Sequence, residues 1–239
     1  EDGVDVIVFS AVDYNANAEI IGQAAQRGIK IVVIDSDVNS SMVSCRIGTN
    51  NLQAGVKAAE AALAVGEDEL YIGIVNYDVN SANGQQRELG FRQTVEQDPR
   101  VKDITTINVL STTEDARAGA KEMLLSDSRI NVVVTFNEWT SLGVGWAIRD
   151  LNRADRIQVV AFDSNVVSVG MLETGEVDAL IVQNPYAMGY LGVETAANLM
   201  NGQTGGPSVV DTATTIVTRE NMYEPESQKI LFSFEEEGY

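Results

Sequence analysis

Residues 28–36, Gly-Ile-Lys-Ile-Val-Val-Ile-Asp-Ser, show the pattern from which the fold of this 239-residue chain is predicted. A short β-branched run ends in the polar pair Asp35-Ser36. The same pattern returns at 131–136 before Asn137, at 158–162 before Asp163 and at 179–182 before Gln183. Nearly continuous Val/Ile/Leu runs of this length are typical of parallel strands buried on both faces.

Further strand candidates and amphipathic stretches alternate along the chain. The predicted strands are 4–9, 29–34, 70–75, 104–109, 131–135, 158–162 and 179–182, and the predicted helices are 17–27, 52–64, 111–125, 138–151 and 185–201. Ser111 to Glu114 has the pattern of a capping box, and Pro185 suits the first turn of a helix. Repeated βα units predict an α/β fold with a doubly wound parallel sheet.

The pattern changes after Gly202. Residues 205–207, Gly-Gly-Pro, predict a loop, and 209–217 an extended segment. The remainder is predicted to be a polar tail packed through Ile230, Leu231 and Phe232 and ending in the acidic run at 235–237.

Composition excludes several classes of function. A net charge of −19 repels phosphate backbones, so no nucleic-acid partner is expected. The absence of histidine excludes Ser-His-Asp and Cys-His catalysis, and the lone Cys45 is expected to be a small core residue. No nucleotide-binding glycine motif occurs, so no cofactor is expected, and a chain with one cysteine and no histidine is expected to hold no metal. No membrane span is predicted, and a chain opening on Glu1-Asp2 shows no signal peptide, although one could have been removed.

The polar residues that follow the strands predict a binding site. In open parallel sheets the ligand crevice lies outside the carboxyl ends of the strands, so Asp35, Asn137, Asp163 and Gln183 are expected to share one cleft. Carboxylates and amides bind paired hydroxyls, which indicates a polyhydroxylated ligand. The alternative for each residue is a helix cap. Four such positions favour a site.

Two other residue pairs have simpler interpretations. Asp35 and Asp37 suggest a metal or acid/base pair, but a turn after a strand is preferred. Trp139 and Trp146 lie seven residues apart, a spacing typical of core packing. Trp139, next to Asn137, is the better candidate for covering a sugar face.

The motifs taken together resemble the type 1 periplasmic binding proteins, in the ribose-binding, LacI-like group. The stretches that carry the resemblance are 28–36, 47–51, 86–91, 136–138, 160–163, 181–186 and 189–196. They occur in the family's order from Val4 to about Thr218.

The resemblance implies two Rossmann-like lobes that close over a sugar by a hinge. It places an N-terminal lobe at 1–49 plus 184–212, a C-terminal lobe at 50–183 plus 213–219, and a tail at 220–239. It adds Arg87 to the ligand contacts Asp35, Asn137, Asp163 and Gln183. Ser36 is included as their neighbour, and Gln85, Thr112 and Trp139 are further candidates.

The chain also departs from the family pattern. Ser36 stands where ribose binders have arginine, and Thr112 stands near their stacking phenylalanine. Because Val4–Phe9 matches the family's third strand, the first lobe is expected to lack its first two βα units, as in a truncated chain.

The function expected from this resemblance is that of an extracytoplasmic solute-binding protein. It is expected to be a monomer, in the periplasm or lipid-anchored outside a Gram-positive membrane, that passes a sugar or polyol to an ABC permease without acting as an enzyme. Alternatives are the ligand-sensing core of a LacI-type regulator, a chemosensory sugar receptor, or an enzyme that uses Asp35 or Asp163 as a base.

Overall fold

Strands and helices alternate through most of the computed structural model, which describes residues 3–203 and 206–232. The strands are β1 (Val6–Phe9), β2 (Lys30–Ile34), β3 (Cys45–Thr49), β4 (Leu70–Tyr77), β5 (Val101–Val109), β6 (Val132–Thr135), β7 (Gln158–Phe162), β8 (Ala179–Val182), β9 (Val209–Thr212) and β10 (Thr215–Thr218). The helices are α1 (Ala18–Gln26), α2 (Asn51–Leu63), α3 (Ala82–Val95), α4 (Thr113–Ser126), α5 (Glu138–Leu151), α6 (Val166–Thr174), α7 (Pro185–Met200) and α8 (Pro225–Leu231).

These elements group into two compact units. Unit 1 comprises Glu1–Asn50, Asn80–Asn83 and Asn184–Ala213, and unit 2 comprises Asn51–Val79, Gly84–Gln183 and Thr214–Tyr239. Each unit has its own sheet.

Unit 1 is built on a four-stranded parallel sheet with the order β1-β2-β3-β9. Strand alternation sends its apolar side chains to both faces. One face packs around Ile21 of α1 with Ile31 and Val33, and the other packs Val32 and Ile47 against α7. Helices therefore cover both faces, as the doubly wound prediction requires.

Unit 2 is built on a six-stranded sheet with the order β10-β8-β7-β6-β4-β5. All neighbouring strands are parallel except β10, which runs antiparallel to β8. One apolar layer packs α2 and α3 on the sheet, and the opposite layer packs α4, α5, α6 and α8. The four central strands carry almost wholly buried side chains, which is why they read as continuous apolar runs.

Several local predictions are corrected by the structure. Strand β3, Cys-Arg-Ile-Gly-Thr, and helices α3 and α6 were not among the predicted elements. The predicted cap at Ser111 is wrong by one residue, because Thr112 is the extended N-cap and its side chain accepts from the Asp115 N–H at 3.2 Å. Serine and threonine are both preferred at the N-cap, so residue type alone does not distinguish Ser111 from Thr112 as the start of this helix.

The tail and the extended segment are largely as expected. Segment 209–217 forms β9 and β10 with a break between them, and Leu231 is buried while Ile230 and Phe232 pack on the core. The acidic run 235–237 lies outside the described residues, as does Gly205 of the predicted loop. The α/β fold with parallel-sheet lobes is confirmed, and no helix in the described ranges is long and apolar enough to cross a membrane.

Candidate functional site

Arg87 is the centre of a buried polar cluster in unit 2. It lies on α3, and only 2% of the residue is exposed. Its Nε donates to Oδ1 of Asn51 at 2.8 Å, Nη1 to the carbonyl oxygen of Phe136 at 2.6 Å, and Nη2 to Oε1 of Gln183 at 2.7 Å. The guanidinium also lies over the Phe162 ring, 4.8 Å from its centroid. These three bonds use three of the five N–H groups of an arginine.

Gln183 extends this cluster to a carboxylate. Its Nε2 donates to Oδ1 of Asp163 at 2.6 Å, while its Oε1 accepts from Arg87. An amide has one accepting oxygen and one donating nitrogen, so the two contacts fix the orientation of the side chain. We call this chain of contacts the Arg87–Gln183–Asp163 relay.

Three buried phenylalanines form a rigid apolar support for the relay. Phe91 and Phe136 meet edge to face with centroids 6.0 Å apart, and Phe136 and Phe162 do so at 5.8 Å. Edge-to-face pairs at these distances are favourable beyond simple burial. The guanidinium therefore packs on one ring of a buried aromatic cluster.

Asp35 in unit 1 and Asp163 in unit 2 have unusual backbone conformations. Their φ angles are 57° and 67°, in the left-handed region. Each follows a strand and donates its N–H to the carbonyl of a neighbouring strand, Asp35 to Ile47 at 2.9 Å and Asp163 to Ile181 at 3.1 Å. Aspartate tolerates this region better than most residues, but it still costs about 1–3 kcal/mol. Strain of this kind concentrates at functional sites.

Ser36 belongs to a small hydrogen-bonded group in unit 1. Its Oγ donates to Oδ2 of Asp35 at 3.2 Å and lies 3.1 Å from the Nδ2 of buried Asn83, which donates to it. Oγ of Ser10 also reaches the same carboxylate oxygen at 3.5 Å. The side chains of Asp35 and Ser36 are thus hydrogen-bonded to each other, and a role in ligand binding stays a prediction for both.

Asp37 takes a structural role. Its Oδ1 accepts from the Val38 N–H at 2.7 Å and from Nε of Arg46 at 2.7 Å. Within the residues described, no group of three or more candidate metal ligands is brought together. Asp37 therefore stabilises the turn that follows the strand, in line with the turn interpretation.

Asn137 serves as a helix cap. Its Oδ1 accepts from the Thr140 N–H at 3.0 Å in a capping box, and its Nδ2 donates to Oγ of Ser111 at 2.7 Å. The capping alternative thus holds at this position, and a role in ligand binding stays a prediction. Thr112 likewise caps α4.

The remaining candidates lie on the surface of unit 2. Gln85 is exposed on α3, and Trp139 is 49% exposed in the first turn of α5. Trp146 packs against the core, with the Arg149 guanidinium 4.7 Å from its ring centroid. Of the two tryptophans, Trp146 packs against the core as the spacing predicted, whereas Trp139 lies at the surface.

A family model described as a periplasmic binding protein domain matches residues 1–204. The chain belongs to this family. Arg87, Asp163 and Gln183 thus lie in a periplasmic binding protein, in agreement with the resemblance noted in the sequence.

Individual relatives within the family are named for sugars. The D-ribose/D-allose-binding protein of Pseudomonas aeruginosa is 26% identical over 228 residues, which cover 90% of this chain and 70% of the relative. The ribose import binding protein of Haemophilus influenzae is 23% identical over 208 residues, which cover 84% of this chain and 68% of the relative.

Solved structures of solute- and sugar-binding proteins are also similar to this chain. A carbohydrate transporter solute binding protein from Agrobacterium radiobacter, in complex with D-arabinose, matches with a TM-score of 0.90 and 28% identity, covering 95% of this chain and 78% of that one. A glucose-galactose binding protein from Geobacillus stearothermophilus matches with a TM-score of 0.86 and 25% identity, covering 92% and 79%.

Sequence reasoning missed some of the residues that complete the cluster. Asn51 lies within the stretch 47–51 that carried the resemblance, but nothing in its local pattern indicated a contact with Arg87. Ser111 and Asn83 are similar cases, because each meets its partner only through the tertiary fold.

Proposed function

We propose that this chain is an extracytoplasmic binding protein that captures a sugar or polyol and delivers it to an ABC importer. The observation that carries the proposal is the Arg87–Gln183–Asp163 relay in a member of this family. It places a buried cation and a carboxylate at either end of one oriented amide.

The chemistry of the relay suits hydroxyl groups. A hydroxyl both donates and accepts, so one hydroxyl can accept from the guanidinium while a neighbouring hydroxyl donates to the carboxylate. Hydrogen bonds with one charged partner are roughly twice as strong as neutral ones. A buried set of this kind rejects analogues that lack the hydroxyls, because its polar groups would then stay unpaired.

The proposed ligand class is supported by the relatives: two are named for ribose and allose or for glucose and galactose, and a third was solved in complex with D-arabinose. We propose a neutral monosaccharide or polyol of this kind. Asp163 contributes a carboxylate whose Oδ1 accepts from Nε2 of Gln183, so its direction is set before the ligand arrives.

Contributions from other predicted residues are part of the proposal. Asp35 and Ser36 are proposed as ligand contacts because the Asp35 backbone is strained like that of Asp163. Asn137, Gln85, Thr112 and Trp139 stay predicted contacts. Assignment of units 1 and 2 as the two lobes, and closure by a hinge, likewise stay predictions.

The proposed partner is a membrane permease, and the protein is proposed to act as a monomer that leaves its ligand chemically unchanged. Its net charge of −19 supports the absence of a nucleic-acid partner. Attachment to the outer face of a membrane by a lipid is included in the proposal for a Gram-positive source.

A thermal-shift screen tests the proposed function. The probes are D-ribose, D-allose, D-arabinose, D-glucose and D-galactose, with ribose 5-phosphate and glucose 6-phosphate for comparison. A ligand that binds the folded state raises Tm by mass action. We expect a rise with at least one neutral sugar. A rise with the phosphates alone would favour a regulator core, and no rise with any sugar would contradict the proposal.

A further inference from the structure

The guanidinium of Arg87 is held from three directions by three different elements. Asn51 begins α2, Phe136 follows β6, and Gln183 follows β8. The contact with Asn51 is the one made to Nε, at the base of the guanidinium. Together with the contacts to Nη1 and Nη2, it fixes the rotation of the guanidinium plane about the end of the side chain.

Helices α2 and α3 touch backbone to backbone beside this contact. A Cβ at Gly55 would lie 2.0 Å from the carbonyl oxygen of Arg87, and a Cβ at Gly90 would lie 2.1 Å from that of Leu52. Only glycine fits such an approach. Because of it, the first turn of α2 lies directly against the turn of α3 that carries Arg87.

A second network fixes α3 to the sheet. Nδ2 of Asn76, which is fully buried at the end of β4, donates to Oε2 of Glu88 at 2.7 Å. Oε1 of Glu88 accepts from Nε of Arg92 at 2.8 Å. The backbone of α3 is thus held on two sides, and the freedom left at Arg87 is that of its long side chain.

We propose that Asn51 is a positioning residue for Arg87, which orients the guanidinium for the ligand without touching the ligand itself. This inference rests on the proposed function for its effect on affinity. The buried hydrogen bond itself exists whatever the ligand is, so it can be tested without sugar. Asn51 is only 8% exposed, which agrees with a role inside the cluster.

The ligand-free test is the hydrogen exchange rate of the Arg87 Nε–H, followed by NMR in ¹⁵N-labelled protein. The signal is assigned by its loss in Arg87→Lys. We expect slow exchange in the wild type, about tenfold faster exchange in Asn51→Leu, and slow exchange in Asn51→Asp, which keeps an accepting oxygen. Asn198→Leu, on the exposed face of α7, is the matched control and should leave the rate unchanged.

The second test is a double-mutant cycle on the affinity for D-ribose or whichever probe sugar raises Tm most. We expect Asn51→Leu to weaken binding about tenfold and Asn51→Asp to restore it to within about threefold. In the Arg87→Lys background, which lacks Nε–H, Asn51→Leu should have no further effect.

Two results would overturn the assignment: unchanged Nε–H exchange in Asn51→Leu, or equal losses of affinity from Asn51→Leu with and without the Arg87 guanidinium. If the exchange results hold but no probe sugar binds the wild type, the positioning of Arg87 stands and the proposed sugar-binding function fails. The two failures are therefore distinguishable.

Discussion

The Nε2 of Gln183 lies 2.6 Å from Oδ1 of Asp163 and donates a hydrogen bond to it. Because Oε1 of the same amide accepts from Arg87, the Gln183 side chain hydrogen-bonds to a buried guanidinium and to a carboxylate at the same time.

Replacing Gln183 with Leu, a side chain of similar size, should remove both of these bonds. We expect the free energy of unfolding to fall by about 2–4 kcal/mol, since the buried guanidinium of Arg87 then loses one acceptor and the half-buried carboxylate of Asp163 loses one donor. Urea denaturation measures this change. Gln93→Leu, at an exposed position on α3, is the control and should stay within about 0.5 kcal/mol of the wild type. Equal stabilities of the two variants would argue against the relay.

Arg87→Lys tests whether the fork geometry of the guanidinium matters more than its charge. A lysine ammonium has no Nε–H, and its donors are not set in a planar fork, so we expect at least one of the three bonds to be lost. The unfolding free energy should fall by about 1–3 kcal/mol. The same change at Arg156, which is highly exposed, should have almost no effect. A variant as stable as the wild type would show that charge alone suffices.

The close crossing of α2 and α3 makes Gly90 sensitive to a single methyl group. We expect Gly90→Ala to destabilise the protein by about 1–3 kcal/mol, because the added Cβ would overlap the Leu52 carbonyl. Gly22 in α1 has open space around it, so Gly22→Ala should stabilise the protein by up to about 1 kcal/mol. Chemical denaturation of both variants checks the pair, and effects of the same sign would contradict the packing described.

Asp178 predicts a pH dependence of stability. Burial raises the pKa of its carboxyl, although its Oδ2 accepts from the Val159 N–H at 2.8 Å and Arg219 lies nearby. A folded-state pKa above the unfolded value means that stability is lost as pH rises from about 4 through the folded pKa. Asp178→Asn keeps an accepting oxygen and removes this loss.

We therefore expect Asp178→Asn to be at least as stable as the wild type at pH 7. Its advantage should shrink toward pH 3.5, where most of the wild-type carboxyl is protonated in both states. Urea denaturation at pH 3.5, 5 and 7 measures the trend. A variant that becomes less stable than the wild type as pH rises would contradict it.

Much of the fold could be predicted because buried parallel strands have an unmistakable composition. Strands β7 and β8 have the bounds predicted for them, 158–162 and 179–182, and β4 contains the predicted strand 70–75. Helix α5 also has its predicted bounds. Strand β3 was missed because Arg46 and Gly48 interrupt its apolar pattern. Helix α3 was missed because it is rich in polar residues, including the buried Arg87.

Less of the candidate site than of the fold could be predicted from the sequence. Asp163 and Gln183 follow strands that are neighbours in one sheet, so the strand-end rule brings them together. Arg87 came only from the family resemblance, since its sequence context is that of a surface helix. The role of Asn51 depends on the approach of two helices at Gly55 and Gly90, and no local pattern encodes which helices will touch.

The most direct test of the account is calorimetric titration of the wild type and Asp163→Ala with the sugar that gives the largest thermal shift. We predict that the variant binds more weakly by about 2–4 kcal/mol, because a ligand hydroxyl loses its charged acceptor. Asp155→Ala, at an exposed position, should bind like the wild type. Equal affinities of the wild type and Asp163→Ala, in variants shown to be folded, would contradict the central claim that this carboxylate binds the sugar.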